Sequence, residues 1–159
     1  MEPGLEGTLV GSQQGDEVSV TRESIGLVTA EHSRLESLFA EVLRNLREGA
    51  ESPAVSDGFA QLRDQLEAHL AREDRLYYPA LRALRPAHRE PVAAITAAHD
   101  TFRSRLAQIG ASLARGAQDT ALRELESLAS LFAAHEVAEE HMLHQIDQEI
   151  LAETIPSTD

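Results

Sequence analysis

Four stretches of the chain carry apolar residues at every third or fourth position, the spacing that lines one face of an α-helix. The first stretch runs through Val28, Leu35 and Phe39, and three similar series follow it. They predict helices over about 22–48, 54–84, 90–115 and 122–152. Because each helix has one apolar face, the four helices must bury these faces against one another. The pattern therefore predicts an all-α fold.

The predicted helices are separated by short segments that contain helix-breaking residues. Gly49 closes the first helix, Pro86 ends the second and Gly116 ends the third. Pro79 is expected to bend the second helix before that end. Short connections place consecutive helices side by side and antiparallel, so an up-down-up-down four-helix bundle is the expected architecture.

The length and composition fit one domain. A chain of 159 residues with 42% hydrophobic residues can bury one sizeable core. Residues 1–20 hold four glycines and a proline without sustained periodicity, which predicts a disordered tail. The bundle domain is expected over residues 21–153, and residues 154–159 are expected to form a flexible C-terminus.

Each apolar series is interrupted by one histidine that takes the place of an apolar residue. In the first helix, His32 falls between Val28 and Leu35. The histidines at the same place in the other three helices are His69, His99 and His135. Since they continue the apolar faces, their imidazoles are expected to point into the bundle.

The second and fourth helices add a glutamate one turn after the histidine. The two pairs are His69 with Glu73 and His135 with Glu139, and this spacing puts both side chains of a pair on one helix face. Burying carboxylates costs several kcal/mol per charge unless a counter-charge is close, and no lysine or arginine occupies the adjacent positions of these faces. The pattern therefore predicts a cation supplied from outside the chain.

The donor atoms restrict which metal this cation can be. The chain has no cysteine, so the ligands must be nitrogen and oxygen. Four imidazoles and two carboxylates can hold two metal ions, with the carboxylates bridging them. This mixture suits iron or manganese, and zinc competes because it stands higher in the Irving–Williams order. No Glu-x-x-His occurs, which disfavours the ferritin-like di-iron bundles.

The same residues recur along the chain at a nearly fixed interval. His32 and His99 are 67 positions apart, and His69 and His135 are 66 apart, as are the two glutamates. We interpret the chain as a duplicated helix hairpin. Two copies related by a pseudo-twofold axis would place two similar half-sites at the bundle centre.

These residues resemble the hemerythrin-like HHE cation-binding domains over roughly residues 22–152. In that family, each hairpin supplies one histidine from its first helix and a His-x-x-x-Glu pair from its second. A leucine–aromatic–proline segment often follows the pair; residues 76–79 (LYYP) fit it, whereas residues 142–144 (MLH) lack the proline. The resemblance implies a non-haem di-iron centre with the four histidines as terminal ligands and Glu73 and Glu139 as bridges.

The chain departs from the oxygen-carrying hemerythrins at two points. Those carriers place two histidines one turn apart on the third helix, but here His99 is followed by Arg103. They also use an acid five residues after the histidine of the fourth helix, which here would be Glu140; the repeat favours Glu139 and keeps Glu140 in reserve. Fewer protein nitrogens leave more metal positions open, which favours sensing or redox chemistry over reversible oxygen storage.

Other polar and aromatic residues near these positions are given no role in the metal site. His88, in the loop between the hairpins, and His141, off the apolar face, are expected to be solvated. His144 replaces Tyr78 in the second copy and is expected at the surface, with a proton relay as the alternative. Tyr77 and Tyr78 could offer a hydroxyl to a metal-bound ligand, but core packing is the favoured prediction.

The resemblance implies a di-iron protein that binds or reduces oxygen, nitric oxide or peroxide, in oxygen or oxidative and nitrosative stress handling. As an enzyme it would be a di-iron oxidoreductase with a separate electron donor; the alternative is an iron or oxygen sensor, or a metal-binding module without turnover. The formal charge of −13 argues against a nucleic-acid partner. Because neither a secretory leader nor about 18 consecutive apolar residues occur, the expected location is the cytoplasm, away from membranes.

Overall fold

A computed structural model describes the backbone of residues 10–154 and the side chains of residues 22, 23 and 25–153. This part of the chain contains α1 (Val10–Arg47), α2 (Ser52–Arg72), α3 (Tyr78–Leu84), α4 (Arg89–Ala114) and α5 (Gln118–Thr154), with a 3-10 turn over Pro86–His88 before α4. A π-helical turn over Glu73–Tyr77 joins α2 to α3 without a break, so these two form one bundle helix. No strand occurs in residues 10–154. The predicted all-α four-helix bundle is confirmed.

The two helices of each hairpin are joined by the same kind of turn. Gly49 and Gly116 have positive φ values of 67° and 73°, which glycine adopts without a steric cost. In each turn the next backbone N–H bonds a carbonyl five residues back, from Ala50 to Asn45 and from Ala117 to Ser112, both at 2.9 Å. Gly49 and Gly116 are 67 positions apart, the interval that separates His32 from His99. The duplicated hairpin predicted from the histidines therefore extends to the turns.

The packing order follows from these hairpins. Helix α1 packs against α2 and α5, and α4 packs against α5 and less extensively against α2. Each bundle helix therefore has two helical neighbours, and the four apolar faces meet at the centre.

The first helix begins earlier in the chain than predicted. Helix α1 begins at Val10, so residues 10–20, expected to be part of a disordered tail, are helical. Adding residues to an existing helix is easier than nucleating a new one, and no proline interrupts residues 10–20. The rest of the predicted tail, residues 1–9, lies outside the described residues. Helix α5 ends at Thr154, and residues 155–159 of the predicted flexible C-terminus also lie outside them.

The second bundle helix is irregular just before Pro79, where a bend was predicted. The backbone N–H of Tyr78 bonds to the carbonyl of Glu73, five residues back instead of four. Proline has no N–H to donate, and its ring would crowd the carbonyl of Arg75 in a regular α-helix. A wider turn at this point relieves that crowding. It also adds about one residue to the turn, which changes the direction of the following side chains by about 100°.

This rotation breaks the equivalence of the two repeats after the His-x-x-x-Glu pairs. Tyr78 and His144 stand at equivalent positions, yet Tyr78 is only 1% exposed while His144 is exposed. The preceding residues show the reverse relation, since Leu76 is 61% exposed and its counterpart Met142 is buried. The π-helical turn therefore brings Tyr78 into the bundle.

Two apolar clusters fill the bundle interior and lie on either side of the histidine positions. The larger cluster occupies the half of the bundle with the Gly49 and Gly116 turns, and it includes Leu35, Leu66, Phe102 and Phe132. The smaller cluster occupies the other half and consists of Val28, Tyr78, Leu81, Val92, Met142, Leu143, Ile146 and Ile150. Burying one leucine or phenylalanine contributes about 1.5–3 kcal/mol, so these clusters supply most of the stabilisation that holds a polar layer between them.

No helix within residues 10–154 is both long enough and apolar enough to cross a lipid bilayer.

Candidate metal centre

The six residues selected by the sequence pattern meet in one buried layer between the two apolar clusters. None of them is more than 7% exposed, and both glutamates are completely buried. Every bundle helix contributes to this layer: His32 from α1, His69 from α2, Glu73 from the π-helical turn, His99 from α4, and His135 and Glu139 from α5. The apolar residues on either side of the layer keep it away from bulk solvent.

The layer divides into two clusters that could each hold a metal ion. In the first cluster, ligand atoms of His32, His69, Glu73 and Glu139 lie within 4.8 Å of one another. In the second cluster, the same holds for Glu73, His99 and His135. Glu73 belongs to both clusters, which is the arrangement that a bridging carboxylate requires.

The two clusters are similar in geometry. The ring centroids of His32 and His69 are 5.1 Å apart with an edge-to-face arrangement, and those of His99 and His135 are also 5.1 Å apart. Each histidine pair takes one ring from the first helix of a hairpin and one from the second. The two half-sites predicted from the repeat are therefore visible as two matching pairs of imidazoles.

The second glutamate also reaches both clusters. Oε2 of Glu139 lies 3.4 Å from Nε2 of His135, although Glu139 belongs to the cluster of His32 and His69. Glu73 is in contact with Nε2 of His69, and its Oε2 lies 4.0 Å from Nε2 of His99. Both carboxylates therefore stand between the two histidine pairs.

Several polar atoms of the first cluster have no hydrogen-bond partner. They are Nε2 of His32, Nε2 of His69, Oε1 of Glu73 and Oε1 of Glu139; of these, Nε2 of His69 and Oε1 of Glu73 contact each other without forming a hydrogen bond. Buried polar atoms normally find a partner, because leaving one unpaired costs about 1–3 kcal/mol. All four atoms belong to residues of one cluster and are of the types that bind first-row metals. The residues present thus fit a metal ion at this position.

The electrostatics of the layer also favour a bound cation. Burial raises the pKa of Glu73 and of Glu139 to about 7. Burial lowers the pKa of His32 and of His99. Without a cation these groups are therefore held toward their neutral forms. Neutral imidazole is the form that binds metals, and a nearby metal ion would bring the carboxyls back to their ionised form.

Three of the four imidazoles contact a carboxylate on another helix through Nδ1, the ring nitrogen that faces away from the layer. Nδ1 of His99 lies 2.8 Å from Asp74, Nδ1 of His32 lies 3.1 Å from Glu140, and Nδ1 of His69 contacts Glu31. The bond orients each ring and directs Nε2 into the layer. Metal-binding histidines commonly have such a partner, which also makes the imidazole a stronger ligand.

Two of these carboxylates are themselves held by arginines. Arg72 lies 2.7 Å from Glu31, and Nη2 of Arg103 lies 2.9 Å from Asp74. Arg103 also bonds Glu67 at 3.0 Å. Arg103 stands where the oxygen carriers have a second histidine on this helix, and here it reaches Asp74 on the neighbouring helix. It therefore supports His99 through Asp74.

The Tyr78 hydroxyl lies between the two glutamates. It is 2.9 Å from Oε2 of Glu139 and also contacts Oε2 of Glu73. The ring is completely buried, as the core-packing prediction required, but its hydroxyl belongs to the polar layer. Tyr78 therefore packs in the core, as predicted, and its hydroxyl also bonds the two glutamates of the layer.

The remaining histidines and acids lie as follows. Glu140 lies behind His32 and outside both clusters, whereas Glu139 points inward, as the repeat favoured. His141 and His144 are exposed, as expected. The prediction for His88 was wrong: it is 7% exposed and its Nε2 lies 2.6 Å from Glu149. The 3-10 turn at Pro86–His88 brings the ring within hydrogen-bond distance of Glu149 on α5.

Sequence reasoning missed Glu31 and Asp74, which contact histidines of the six, and did not foresee that Tyr78 bonds the two glutamates. Tyr78 depends on the π-helical turn, for which Pro79 was the available signal. Glu31 immediately precedes His32 in the chain, and Asp74 immediately follows Glu73. Their position beside the layer could have suggested them, but only the packing of helices shows that they bond histidines on other helices.

Comparison with known proteins identifies the family to which the chain belongs. Neither curated proteins nor solved structures gave a significant match. A family model described as the hemerythrin HHE cation-binding domain matches residues 23–146, well over half of the chain. That range contains all six residues of the buried layer and both glycine turns. The chain therefore belongs to the hemerythrin HHE cation-binding domain family.

Proposed function

We propose that this protein is a non-haem di-iron protein that binds or reduces oxygen, nitric oxide or peroxide, in oxygen or oxidative and nitrosative stress handling. The observation that carries the proposal is the pair of buried clusters that share Glu73. A purely structural polar layer would satisfy its buried atoms by hydrogen bonds. This layer leaves Nε2 of His32 and Oε1 of Glu139 without a partner, and it brings Nε2 of His69 and Oε1 of Glu73 together without a hydrogen bond.

The donor set supports iron as the metal. Imidazole nitrogen and carboxylate oxygen without thiolate suit iron or manganese, and the resemblance to the family favours iron. In the proposed site, His32 and His69 hold one ion, His99 and His135 hold the other, and Glu73 and Glu139 bridge them. Bound iron would supply reversible one-electron chemistry and coordination positions that the protein leaves open.

The side chains around the layer have separate roles in this proposal. Asp74, Glu31 and Glu140 keep three imidazoles in the orientation and tautomer that present Nε2. The Tyr78 hydroxyl, 2.9 Å from Oε2 of Glu139, helps to hold the carboxylates in place by hydrogen bonding, and its raised pKa keeps it protonated. The apolar clusters exclude bulk water and so limit side reactions of a bound ligand.

A cleft beside the first cluster offers small molecules a way in. It has a volume of about 320 Å³ and lies between α1 and α2. Its lining includes His69 at the layer and Glu31, Arg72 and Tyr77 around it. A diatomic molecule or peroxide is small compared with this cleft. The proposed ligands therefore have room to come within reach of the first cluster.

The test is to expose the iron-loaded, reduced protein separately to oxygen, nitric oxide and hydrogen peroxide under otherwise anaerobic conditions. The proposal predicts a change in the ligand-to-iron absorption bands with at least one of the three. His69→Ala should abolish this change, while His144→Ala, which removes an exposed histidine, should leave it intact. Iron-loaded protein whose spectrum does not respond to any of the three would contradict the proposal.

Consumption of the ligand separates reduction from simple binding. A reducing protein should remove peroxide or nitric oxide continuously when an electron donor is supplied, and the decrease should scale with protein concentration. Spectral change without consumption would instead favour the alternative function, a sensor or metal-binding module without turnover.

A further inference from the structure

The cleft between α1 and α2, beside the first cluster, has two chemically different ends. The two helices form an antiparallel hairpin, so the lining residues follow one another in opposite directions on the two walls. Leu27 and Tyr77 line one end, and Arg34 and Gln65 line the other. Leu27 is 50% exposed and Tyr77 is half-buried, so their end offers apolar surface to an occupant. The volume of about 320 Å³ is in the range of small-molecule pockets.

The polar end of the cleft contains a guanidinium without a partner. Arg34 is exposed, and within the described residues it has no ion pair or hydrogen bond. Carboxylates are plentiful in this chain, which has 27 acidic against 14 basic residues, and Arg47, Arg63 and Arg103 each bond one. Arginine stays charged throughout the physiological pH range, and its planar fork of N–H groups fits a carboxylate. The Arg34 end therefore offers an unused charge to an anion.

The acidic residue in the cleft wall is already paired. The carboxylate of Glu31 lies 2.7 Å from Arg72 and contacts Nδ1 of His69. Two arginines and one glutamate line the cleft, which leaves an excess of positive charge there although the whole chain has a formal charge of −13. The side chain of Arg72 is 42% exposed, and an aromatic ring can stack on a guanidinium. The middle of the cleft thus suits a flat ring.

We propose that this cleft binds a small aromatic carboxylate, with its carboxylate on Arg34 and its ring over Arg72 toward Leu27. Arg34 would bind both carboxylate oxygens through parallel N–H donors, and the amide of Gln65 at the same end can donate a further hydrogen bond. The ring would cover the apolar surface of Leu27 and Tyr77 that the cleft leaves open to water.

Other classes of small molecule fit these groups less well. A cation would be repelled by the two arginines and would find Glu31 already bonded. A neutral molecule would leave the charge of Arg34 unpaired. A carboxylate without a ring would form only an exposed ion pair with Arg34, and such pairs contribute little. The cleft as a whole therefore selects for a negative charge combined with a ring.

An occupant of this cleft would lie between solvent and the first cluster. His69 lines the cleft and belongs to that cluster. A bound carboxylate would therefore restrict the way in that we propose for oxygen, nitric oxide or peroxide. This consequence rests on the proposed function. Binding of the carboxylate itself requires no iron, so it can be tested on the metal-free protein whether or not the proposed function holds.

The test is calorimetric titration of the full-length, metal-free protein with trans-cinnamate, cinnamyl alcohol and cinnamylammonium, which share one carbon frame and differ in charge. We expect saturable binding of cinnamate at one site, about tenfold or more tighter than the alcohol, because charge-assisted hydrogen bonds distinguish the two. Cinnamylammonium should not bind. Acetate, which lacks the ring, should bind at least about tenfold more weakly than cinnamate.

Two pairs of variants at exposed positions locate the site. Arg34→Gln should weaken cinnamate binding by about tenfold or more. Arg44→Gln removes another exposed arginine of α1 that has no partner within the described residues and does not line the cleft, and it should leave binding unchanged. Leu27→Gln should weaken binding by about threefold or more. Leu76→Gln, at an exposed leucine outside the cleft, should have no effect.

Three results would overturn the proposal. They are no saturable binding at millimolar cinnamate, equal affinity for cinnamate and cinnamyl alcohol, and equal binding of cinnamate by Arg34→Gln and Arg44→Gln.

Discussion

The hydroxyl of Tyr78 lies 2.9 Å from Oε2 of Glu139 and also contacts Glu73. One phenol thus connects the two glutamates that stand between the histidine pairs. Since a phenol has one proton to donate, its two contacts are satisfied together when one of the carboxyls carries a proton. The raised pKa of both carboxyls, about 7, is consistent with such sharing in the metal-free protein.

Replacing Tyr78 with phenylalanine should therefore destabilise the layer while keeping the fold. The ring would still fill its place in the smaller apolar cluster, but the glutamates would lose the hydrogen bond that the phenol donates. We expect the free energy of unfolding of the metal-free protein at pH 8 to fall by about 1.5–3 kcal/mol, the range for bonds to charged groups. Urea unfolding measures this change.

The control for that substitution is Tyr77→Phe. Tyr77 is half-buried in the same π-helical turn and has no hydrogen bond to the layer. Its replacement should change the free energy of unfolding by less than about 0.5 kcal/mol. Equal losses for the two variants would show that the hydroxyl of Tyr78 has no special role.

The metal-free protein should be less stable at alkaline than at mildly acidic pH because of its buried carboxyls. Burial raises the pKa of Glu73 from 4.5 to about 7. Below pH 4.5 the carboxyl is protonated in both states and adds no ionisation cost, whereas above pH 7 the folded state must hold it ionised. The stabilisation is therefore lost as the pH rises through this interval, by about 3 kcal/mol.

Glu73→Gln isolates this effect, because the amide has the shape of the carboxyl but does not ionise. The metal-free variant should be more stable than the unaltered protein by about 3 kcal/mol at pH 8 and equally stable near pH 4.5. The lowered pKa values of His32 and His99 affect both proteins alike and cancel in the difference. The pKa of Glu139 does not cancel, because burial and the charge of Glu73 both raise it; losing the Glu73 charge adds to the gain in the variant. Exposed Glu41→Gln should show no such pH-dependent gain, and a Glu73→Gln difference independent of pH would refute the explanation.

Arg103 should influence metal binding without touching the metal layer. It fixes Asp74, which in turn orients His99. Arg103→Gln should lower the affinity of the second cluster for iron by up to about tenfold, and Asp74→Asn should lower it at least as much. Competition with a chromophoric chelator measures both.

Arg105→Gln is the matched control for Arg103→Gln. Arg105 lies on the same helix and bonds Ser127, away from the metal layer. Its replacement should leave the iron affinity unchanged. If Arg103→Gln also binds iron normally, Asp74 does not need the arginine to hold His99.

The sequence predicted the fold well because its signals are local. Apolar spacing identified the helix faces, and Gly49 and Gly116 identified the hairpin turns. The inward direction of the histidines followed from their positions on those faces. Helix α1 begins earlier than the sequence predicts, because the four glycines before residue 20 weaken the helical pattern there.

The parts that escaped prediction depend on contacts between helices or on one irregular turn. The repeat predicts that Tyr78 and His144 should face alike, yet the π-helical turn buries Tyr78 alone. His88 was assigned to solvent because it lies in a loop, whereas the ion pair with Glu149 that accompanies its burial joins residues 61 positions apart. No local pattern contains that information.

The stoichiometry of bound iron tests the central claim most directly. Full-length protein, purified without chelator and reconstituted anaerobically with ferrous iron, should contain two irons per chain, one for each cluster. Glu73→Ala should lose most of both because it belongs to both clusters, while His144→Ala should keep both. One iron or none in the unaltered protein, or two irons retained by Glu73→Ala, would contradict a di-iron centre that shares Glu73.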